Sequence, residues 1–342
     1  MPASVLCHIL SFLPTKQVVA TSVLSKRWNP LWRSVPTLNF DLDYNNKSKK
    51  KYYRFLQSLY EVILSRDSNQ PIQTFSIKCA TSHCEQSNVN VWVNAALQRN
   101  VEYLDLLLSC TSNINLPSAV FRHRTLAVLK LRGLALKATS SIDLPSLKIL
   151  HLDLVSFSER RYLAELLSEC PLLEDLGYPV NFVIDDQEMD KGIGDDPNPY
   201  AKDVIPVFHN LVHIELTYFH YTMNWFDVIE LLNHCPKLQI LVIDQNFNLD
   251  DYEEIDLRYS DSIPKCISLH LKTCLLNNYK GSKGEVRFAR YVMRNASILR
   301  TIKIFVRAGI VREEKINEFE MLKELSSCTR CSPTCELSFE II

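Results

Sequence analysis

"LAVLKLRGLALKATSSIDLPSLKILHL", residues 126–152, holds one six-residue figure twice: Leu126-x-x-Leu129-x-Leu131 and Leu147-x-x-Leu150-x-Leu152. The second half of each copy alternates apolar, variable, apolar. That period of two is what a strand with one buried face requires.

The same figure recurs along the chain of 342 residues. It reads Ile72-x-x-Phe75-x-Ile77, Val101-x-x-Leu104-x-Leu106 and Leu173-x-x-Leu176-x-Tyr178. It resumes as Leu211-x-x-Ile214-x-Leu216, Leu238-x-x-Leu241-x-Ile243 and Leu299-x-x-Ile302-x-Ile304. From Phe75 to Leu176 the middle residues step by 29, 25, 21 and 26 positions, and Ile214 to Leu241 is 27. A recurring strand at steps of roughly 20 to 29 residues is the signature of leucine-rich repeats, here irregular ones. A single copy would be only a buried strand or helix; eight copies define an architecture. Amphipathic stretches at 89–98, 159–167 and 225–232 supply the helices between strands. The expected fold class is therefore α/β, a solenoid with parallel strands on its concave face and helices on its convex face. The step from Leu176 to Ile214 is longer and contains "DDQEMDKGIGDDPNPY", read as an extended acidic loop near 181–205.

A solenoid exposes apolar faces at its ends unless something covers them. At the C-terminus a helix over 286–295, the Ile302 strand, a helical stretch near 313–325 and a final alternating strand "CELSFEII" would close the sheet. At the N-terminus, "SVLCHILSFL" places Val5, Leu6, Ile9, Leu10 and Leu13 on one helical face, with Ser4 as cap and Pro14 as stop. A second helix follows from Thr15 as N-cap, with Val19, Ala20, Val23 and Leu24 apolar. Ser25 caps a third, carrying Trp28, Leu31 and Trp32 up to Pro36. About forty residues seldom bury enough area to stand alone, so part of this apolar surface is expected to meet the first repeat or another protein.

The run "MPASVLCHILSFLPTKQVVATSVLSKRWNPLWRSVPTLNFD" resembles the F-box of plant F-box/leucine-rich-repeat proteins of the FBD type. The resemblance extends through "CPLLEDL" and "CPKLQIL" in the repeats to "LKTC" and "FARYVMRNASILRTIKI" near the C-terminus. It implies a short three-helix F-box at 1–40, a linker and first helix at 41–70, repeats at 71–260 and an FBD-like α/β cap at 261–342. It also implies a non-catalytic substrate receptor of a Skp-cullin-F-box ubiquitin ligase. Pro2, Leu6, Ile9, Leu10, Leu13, Pro14, Leu24, Trp28, Leu31 and Trp32 would divide between the F-box core and the contact with a Skp-type adaptor, which hangs from a cullin. The tryptophans would be anchors, with Lys26 and Arg27 at the rim or in solvent. One departure from the pattern stands out: Met1-Pro2-Ala3-Ser4 replaces the usual Leu-Pro-Asp-Glu, so the F-box reads as shortened at its start. The alternative is a repeat module for protein interaction that has lost its coupling to the ligase.

Composition excludes several other classes. Net charge is -1 and no apolar run approaches the length of a membrane helix, which argues against nucleic-acid and membrane partners and for a nuclear or cytoplasmic protein. Seven glycines and no phosphate-cradling motif argue against nucleotide enzymes. Eleven cysteines, an odd number without an export signal, read as reduced thiols filling core positions. Cys328-x-x-Cys331-x-x-x-Cys335 lacks a fourth ligand, since no histidine follows His270, so no metal or other cofactor is expected. "NKSKKK" at 46–51 reads as a solvated linker. If the repeat frame holds, Asp105, Lys130, Arg132, His151, Asp153, Glu215, Thr217 and Asp244 project from the strand face opposite the helices and offer mixed charge to a protein target.

Overall fold

The structure is a computed structural model that describes residues 2–42, 48–66, 70–108, 114–137, 141–157, 161–179, 206–218, 225–245, 263–306, 323 and 325–341. The chain forms two compact units that meet in sequence between Cys170 and Pro171. The acidic stretch at 181–205 and most of the stretch expected to be helical near 313–325 lie outside the described residues.

The first unit opens with helices α1 (Ala3–Leu10) and α2 (Thr15–Ala20), followed by short 3₁₀ turns at Thr21–Val23 and Leu31–Ser34. Strand β1 (Thr37–Leu42), helix α3 (Lys49–Ser65), β2 (Thr74–Cys79), helix α4 (Gln86–Leu97), β3 (Tyr103–Leu108) and β4 (Val128–Arg132) follow. After them come β5 (Ala135–Leu136), β6 (Ile149–Asp153), β7 (Ser156–Phe157) and helix α5 (Arg161–Ser168). The order β1-β2-β3-β4-β6 builds a parallel sheet, while β5 and β7 pair separately. The register stacks the middle residue of every repeat: Leu38 faces Phe75, then Leu104, Leu129 and Leu150.

The second unit contains β8 (Asp175–Pro179), β9 (His213–Tyr218), helix α6 (Trp225–Asn233), β10 (Ile240–Gln245), helix α7 (Lys265–Leu269), β11 (Thr273–Asn277), helix α8 (Lys283–Asn295), β12 (Thr301–Val306) and β13 (Glu336–Ile341). Its six strands are parallel in chain order. The ladder Leu176, Ile214, Leu241, Cys274, Ile302, Leu337 repeats the stacking.

At the starts of β2, β3, β4, β6, β9, β10, β11 and β12, two successive backbone N–H groups donate to one carbonyl just before the neighbouring strand. Glu102 and Tyr103 donate to Gln73, and Gln239 and Ile240 donate to Val212. This satisfies donors that parallel strands would otherwise bury unpaired. Alternate strand residues are buried, as in Leu104, Leu106 and Leu108, and pack beneath the helices. Phe40 of β1 lies edge-on to Phe55 of α3, which lies edge-on to Trp92 of α4. In the second unit Trp225 of α6 stacks on Phe288 of α8 at 4.3 Å.

The eight strands of the repeated figure and the expected closing strand, β13, form, and two further full-length strands, β1 and β11, join them. The opening segment differs from its expected three helices. Pro2 and Pro14 hold the N-cap positions in place of Ser4 and Thr15, which lie inside the helices. Thr15 Oγ1 instead accepts from Asn39 N at 2.7 Å and ties α2 to the first strand. The third helix reduces to a turn at Ser25 and the 3₁₀ segment Leu31–Ser34, because Pro30 removes a donor and restricts Asn29. Lys49, Lys50 and Lys51, expected in a linker, form the first turn of α3.

The ten described cysteines are free. Cys170 Sγ donates to the Leu166 carbonyl and Cys266 Sγ to that of Leu232. Burial pushes both thiols up to about 12, so they serve as inert core fillers.

Helix α8 begins with a capping box in which Ser282 Oγ accepts from Glu285 N, while the Glu285 carboxylate accepts from Ser282 N at 2.8 Å. Glu285 is enclosed, and burial raises its pKa from 4.5 to about 6. Between those values the folded chain holds a proton that the unfolded chain releases. Its contribution is therefore present below about 4.5 and lost as pH rises through about 6, a swing of about 2 kcal/mol. Denaturant melts at pH 4.5 and 7 should show the stability difference between the native chain and Glu285→Gln changing by about that amount. A pH-independent difference contradicts it.

Candidate docking surfaces

Helix α1 is apolar on two lines. Leu6 and Leu10 turn inward and join Val18, Leu31 and Val35 in a small core, with Cys7, Leu13, Trp28 and Trp32 packed against it. Val5 and Ile9 follow the other line, which the N-cap Pro2 and Phe12, in the turn just past the helix, continue at spacings of three, four and three residues, and all four are exposed. Ile9 is 46% exposed and Phe12 76%, against 1% for Leu10. The Phe12 ring meets His8 edge-on at 5.1 Å. The turn after α2 adds Val23 and Leu24, at 85% and 66% exposure.

The ten expected residues thus separate. Leu6, Leu10 and Leu31 are core; Leu13, Trp28 and Trp32 are half-buried; Pro2, Ile9, Pro14 and Leu24 are exposed. The expectation that Val5, Leu6, Ile9, Leu10 and Leu13 share one face is corrected, since Val5 and Ile9 point away from the core. Phe12 is the surface residue that sequence reasoning did not single out, and Val23, expected on the apolar side of the second helix, is exposed. The spacing of Pro2, Val5, Ile9 and Phe12 carried the signal. Lys26 and Arg27 are exposed, and Arg33 lies over the Trp32 ring at 5.4 Å.

This subdomain is fastened to the first repeats. Besides the Thr15 bond, the buried Arg66 at the end of α3 donates from Nη1 to the Trp32 carbonyl at 3.3 Å. Burial, with repulsion from Arg99, lowers the Arg66 pKa to about 10, and the side chain stays cationic at neutral pH.

The strand face opposite the helices carries the other candidates. In the first unit the register aligns Asp105, Lys130 and His151 in one row, and Arg132 and Asp153 in the next. These charges largely answer one another. Ser76 Oγ donates to Asp105, Lys130 lies 6.0 Å from the Tyr103 ring centroid, and Arg132 is ion-paired with Asp153. Exposed pairs of this kind add about 0 to 1 kcal/mol to stability.

In the second unit Glu215 is followed along β9 by Thr217, which aligns with Asp244 of β10. Asp244 accepts from Asn278 Nδ2 at 2.6 Å. Beside Glu215, His213 Nδ1 lies 2.7 Å from Asp175 Oδ1. This bond, with Asp175 and Glu215 as neighbouring charges, raises the His213 pKa above its ordinary 6.5. The pair's contribution is full below about 6.5 and is lost as pH rises through the higher folded value. Asp175→Asn should therefore lower the His213 midpoint in an NMR titration, and an unmoved midpoint rejects the pairing.

Among the described residues no group of three His, Cys, Asp or Glu side chains could hold a metal, and Cys331 is exposed while Cys335 is buried. No helix among them is long and apolar enough to cross a membrane. A hollow of about 430 Å³ lined by Lys49, Tyr53, His83 and Glu85, among others, is polar and shallow.

Three family descriptions match the chain: F-box domain over residues 1–40, At1g61320/AtMIF1 LRR domain over 63–178, and FBD over 260–304. Among curated proteins of Arabidopsis thaliana, F-box/FBD/LRR-repeat protein At5g56420 is 28% identical, with 99% of this chain and 98% of that protein covered. F-box/FBD/LRR-repeat protein At4g26340 is 29% identical, with coverage of 98% and 97%. F-box/LRR-repeat protein At4g14096 is 36% identical over about half of this chain and 38% of its own length.

Proposed function

Because the chain unites F-box, leucine-rich-repeat and FBD segments as the F-box/FBD/LRR-repeat proteins do, we propose that it is a substrate receptor of a Skp-cullin-F-box ubiquitin ligase, acting in the nucleus or cytoplasm. The observation that carries this reading is the second apolar line of α1. The subdomain already fills a core with Leu6, Leu10, Val18, Leu31 and Val35, yet leaves Val5, Ile9 and Phe12 open to water. Exposed apolar side chains aligned on one face mark a place where another protein docks. That partner is a Skp-type adaptor and, through it, a cullin.

The open strand faces hold the protein target. Asp105, Lys130, Arg132, His151 and Asp153 serve in the first unit, and Glu215, Thr217 and Asp244 in the second. Their mixed charge sets specificity and encounter rate more than raw affinity. The chain contributes geometry rather than chemistry: ubiquitin transfer belongs to the enzyme recruited by the cullin. The bonds from Thr15 and Arg66 support this role, since they orient the docking subdomain against the first repeats.

Co-expression of the full chain with a Skp-type adaptor, followed by gel filtration, tests the reading. A one-to-one complex that survives dilution to about micromolar concentration is expected, corresponding to about -8 kcal/mol. A folded chain that elutes alone removes the ligase role and leaves a repeat module for protein interaction.

A further inference from the structure

The apolar ladder of the second unit weakens at its last strand. Leu337, Phe339 and Ile341 of β13 align with Ile302, Ile304 and Val306 of β12, on the side that the helices cover. The three residues of β12 are buried, Val306 at 5% exposure, whereas Leu337 and Phe339 are half-buried and Ile341 is 61% exposed. β13 therefore carries the apolar pattern of an inner strand in the position of an outer one. A repeat at the end of a stack keeps an open apolar face unless a further layer covers it.

The backbone of β13 is open in the same way. This strand stands last in the sheet order and pairs with β12. The Glu336 N–H donates to the Arg300 carbonyl, on the β12 side. Successive peptide groups alternate between the two edges of a strand, so Leu337, Phe339 and Ile341 turn theirs to the outer edge. Among the described residues, none bonds to that edge. A free edge is a template for another strand, which proteins discourage with short edges, bulges, prolines or charge. β13 has six residues, matches β12 position for position and contains no proline. Charge is left as its guard, and that charge has one sign. Glu340 lies 3.8 Å from Lys303, while Glu336 is exposed with no ion partner among the described residues.

We propose that the outer edge of β13 is a docking site for an extended segment of a partner protein in which apolar residues alternate with lysine or arginine. Added as a further strand, such a segment bonds the free peptide groups of Leu337, Phe339 and Ile341. Its apolar side chains lie beside those three residues and complete the cover of Ile341. A basic side chain on its other face meets Glu336, and cross-strand pairs of opposite charge are favourable. The edge is about 20 Å long, the length of about six extended residues. A second copy of this chain fits less well, because it brings the same carboxylates against themselves. This edge is separate from the ledge on α1 and from the open strand faces, and it does not depend on the ligase reading.

Fluorescence anisotropy with the full-length chain and a labelled octapeptide of alternating lysine and valine tests the inference. Saturable binding is expected. A peptide of the same composition in two blocks, and one alternating glutamate with valine, should each bind about tenfold more weakly or worse. Versions of the alternating peptide N-methylated on all lysine amides, or on all valine amides, separate strand addition from charge. One set of N–H groups must face β13, so one of the two versions should lose about tenfold or more. Glu336→Lys with Ile341→Lys, both exposed, should weaken binding about tenfold, while the matched pair Glu61→Lys with Leu64→Lys on α3 should leave it within about twofold. No binding of the alternating peptide, equal binding of the block peptide, undiminished binding of both methylated versions, or equal loss from both substituted pairs overturns the proposal. Equal affinity for the glutamate peptide, or self-association of the chain that the β13 substitutions abolish, overturns the choice of partner.

Discussion

Replacing Trp92 with alanine lowers the stability of the first unit by about 3 to 5 kcal/mol, the largest loss expected from any single truncation in its core. Val89, Trp92, Val93 and Ala96 form the buried line of α4, each with no exposed surface. Trp92 closes a chain of aromatic contacts: it lies edge-on to Phe55 at 6.3 Å, Phe55 to Phe40 at 6.4 Å, and Phe40 to Phe75 at 6.3 Å. One indole therefore supports α3, α4 and the first two strands together. Removing it opens a cavity beneath two helices that the sheet cannot follow inward, so the loss adds a cavity cost to the lost transfer energy. A domain typically holds about 5 to 15 kcal/mol in total, so this substitution consumes a large part of it. At about 2 to 4 °C per kcal/mol, the circular-dichroism melting temperature should fall by roughly 6 to 20 °C. Trp92→Phe should recover more than half of that. A melt within about 2 °C of the native chain would refute the assignment.

The repeat fold was legible because its signal is redundant. Each strand states its buried residues twice, by alternation within the strand and by recurrence between repeats, and the stacked ladder from Phe75 to Leu150 follows directly. Two strands escaped notice although both obey the figure. Val35-x-x-Leu38-x-Phe40 overlaps the end of the apolar opening segment. Leu271-x-x-Cys274-x-Leu276 has a thiol where a leucine is expected, and the fully buried Cys274 shows how well cysteine serves as a small apolar side chain.

Helix α3 was obscured by its own beginning. Three lysines in a first turn oppose the helix dipole and read as linker, but the buried Tyr52, Leu56, Leu59 and Ile63 behind them hold the helix by packing. In the opening segment, Pro30 marked the failure of a third helix, and apolar density outweighed it in the reading. Parity along a strand was legible, and the register sets the strand-face candidates in common rows within each unit. Their partners were not: Arg132 and Asp153 sit one repeat apart and meet only because the register places them side by side.

Introducing charge on the outer line of α1 should abolish adaptor binding while leaving the chain folded. Ile9→Glu with Phe12→Glu is the informative pair, since about half of Ile9 and most of Phe12 are open to water and neither belongs to the local core. Surface substitutions away from special features usually change stability by about 0.5 kcal/mol or less, so the melting curve should hardly move. Binding behaves differently. Each residue would lose about 1.5 to 3 kcal/mol of apolar burial, and each new carboxylate would have to be desolvated against an apolar partner. A combined loss of at least about 4 kcal/mol corresponds to about a thousandfold weaker binding. Leu10→Glu separates the two effects, because Leu10 is enclosed and its replacement should unfold the subdomain and binding together. Co-purification and calorimetry with a Skp-type adaptor give the comparison. If the Ile9 and Phe12 pair binds within about fivefold of the native chain, less than about 1 kcal/mol of the affinity resides on this face. The contact would then have to be sought on the turn that carries Val23 and Leu24.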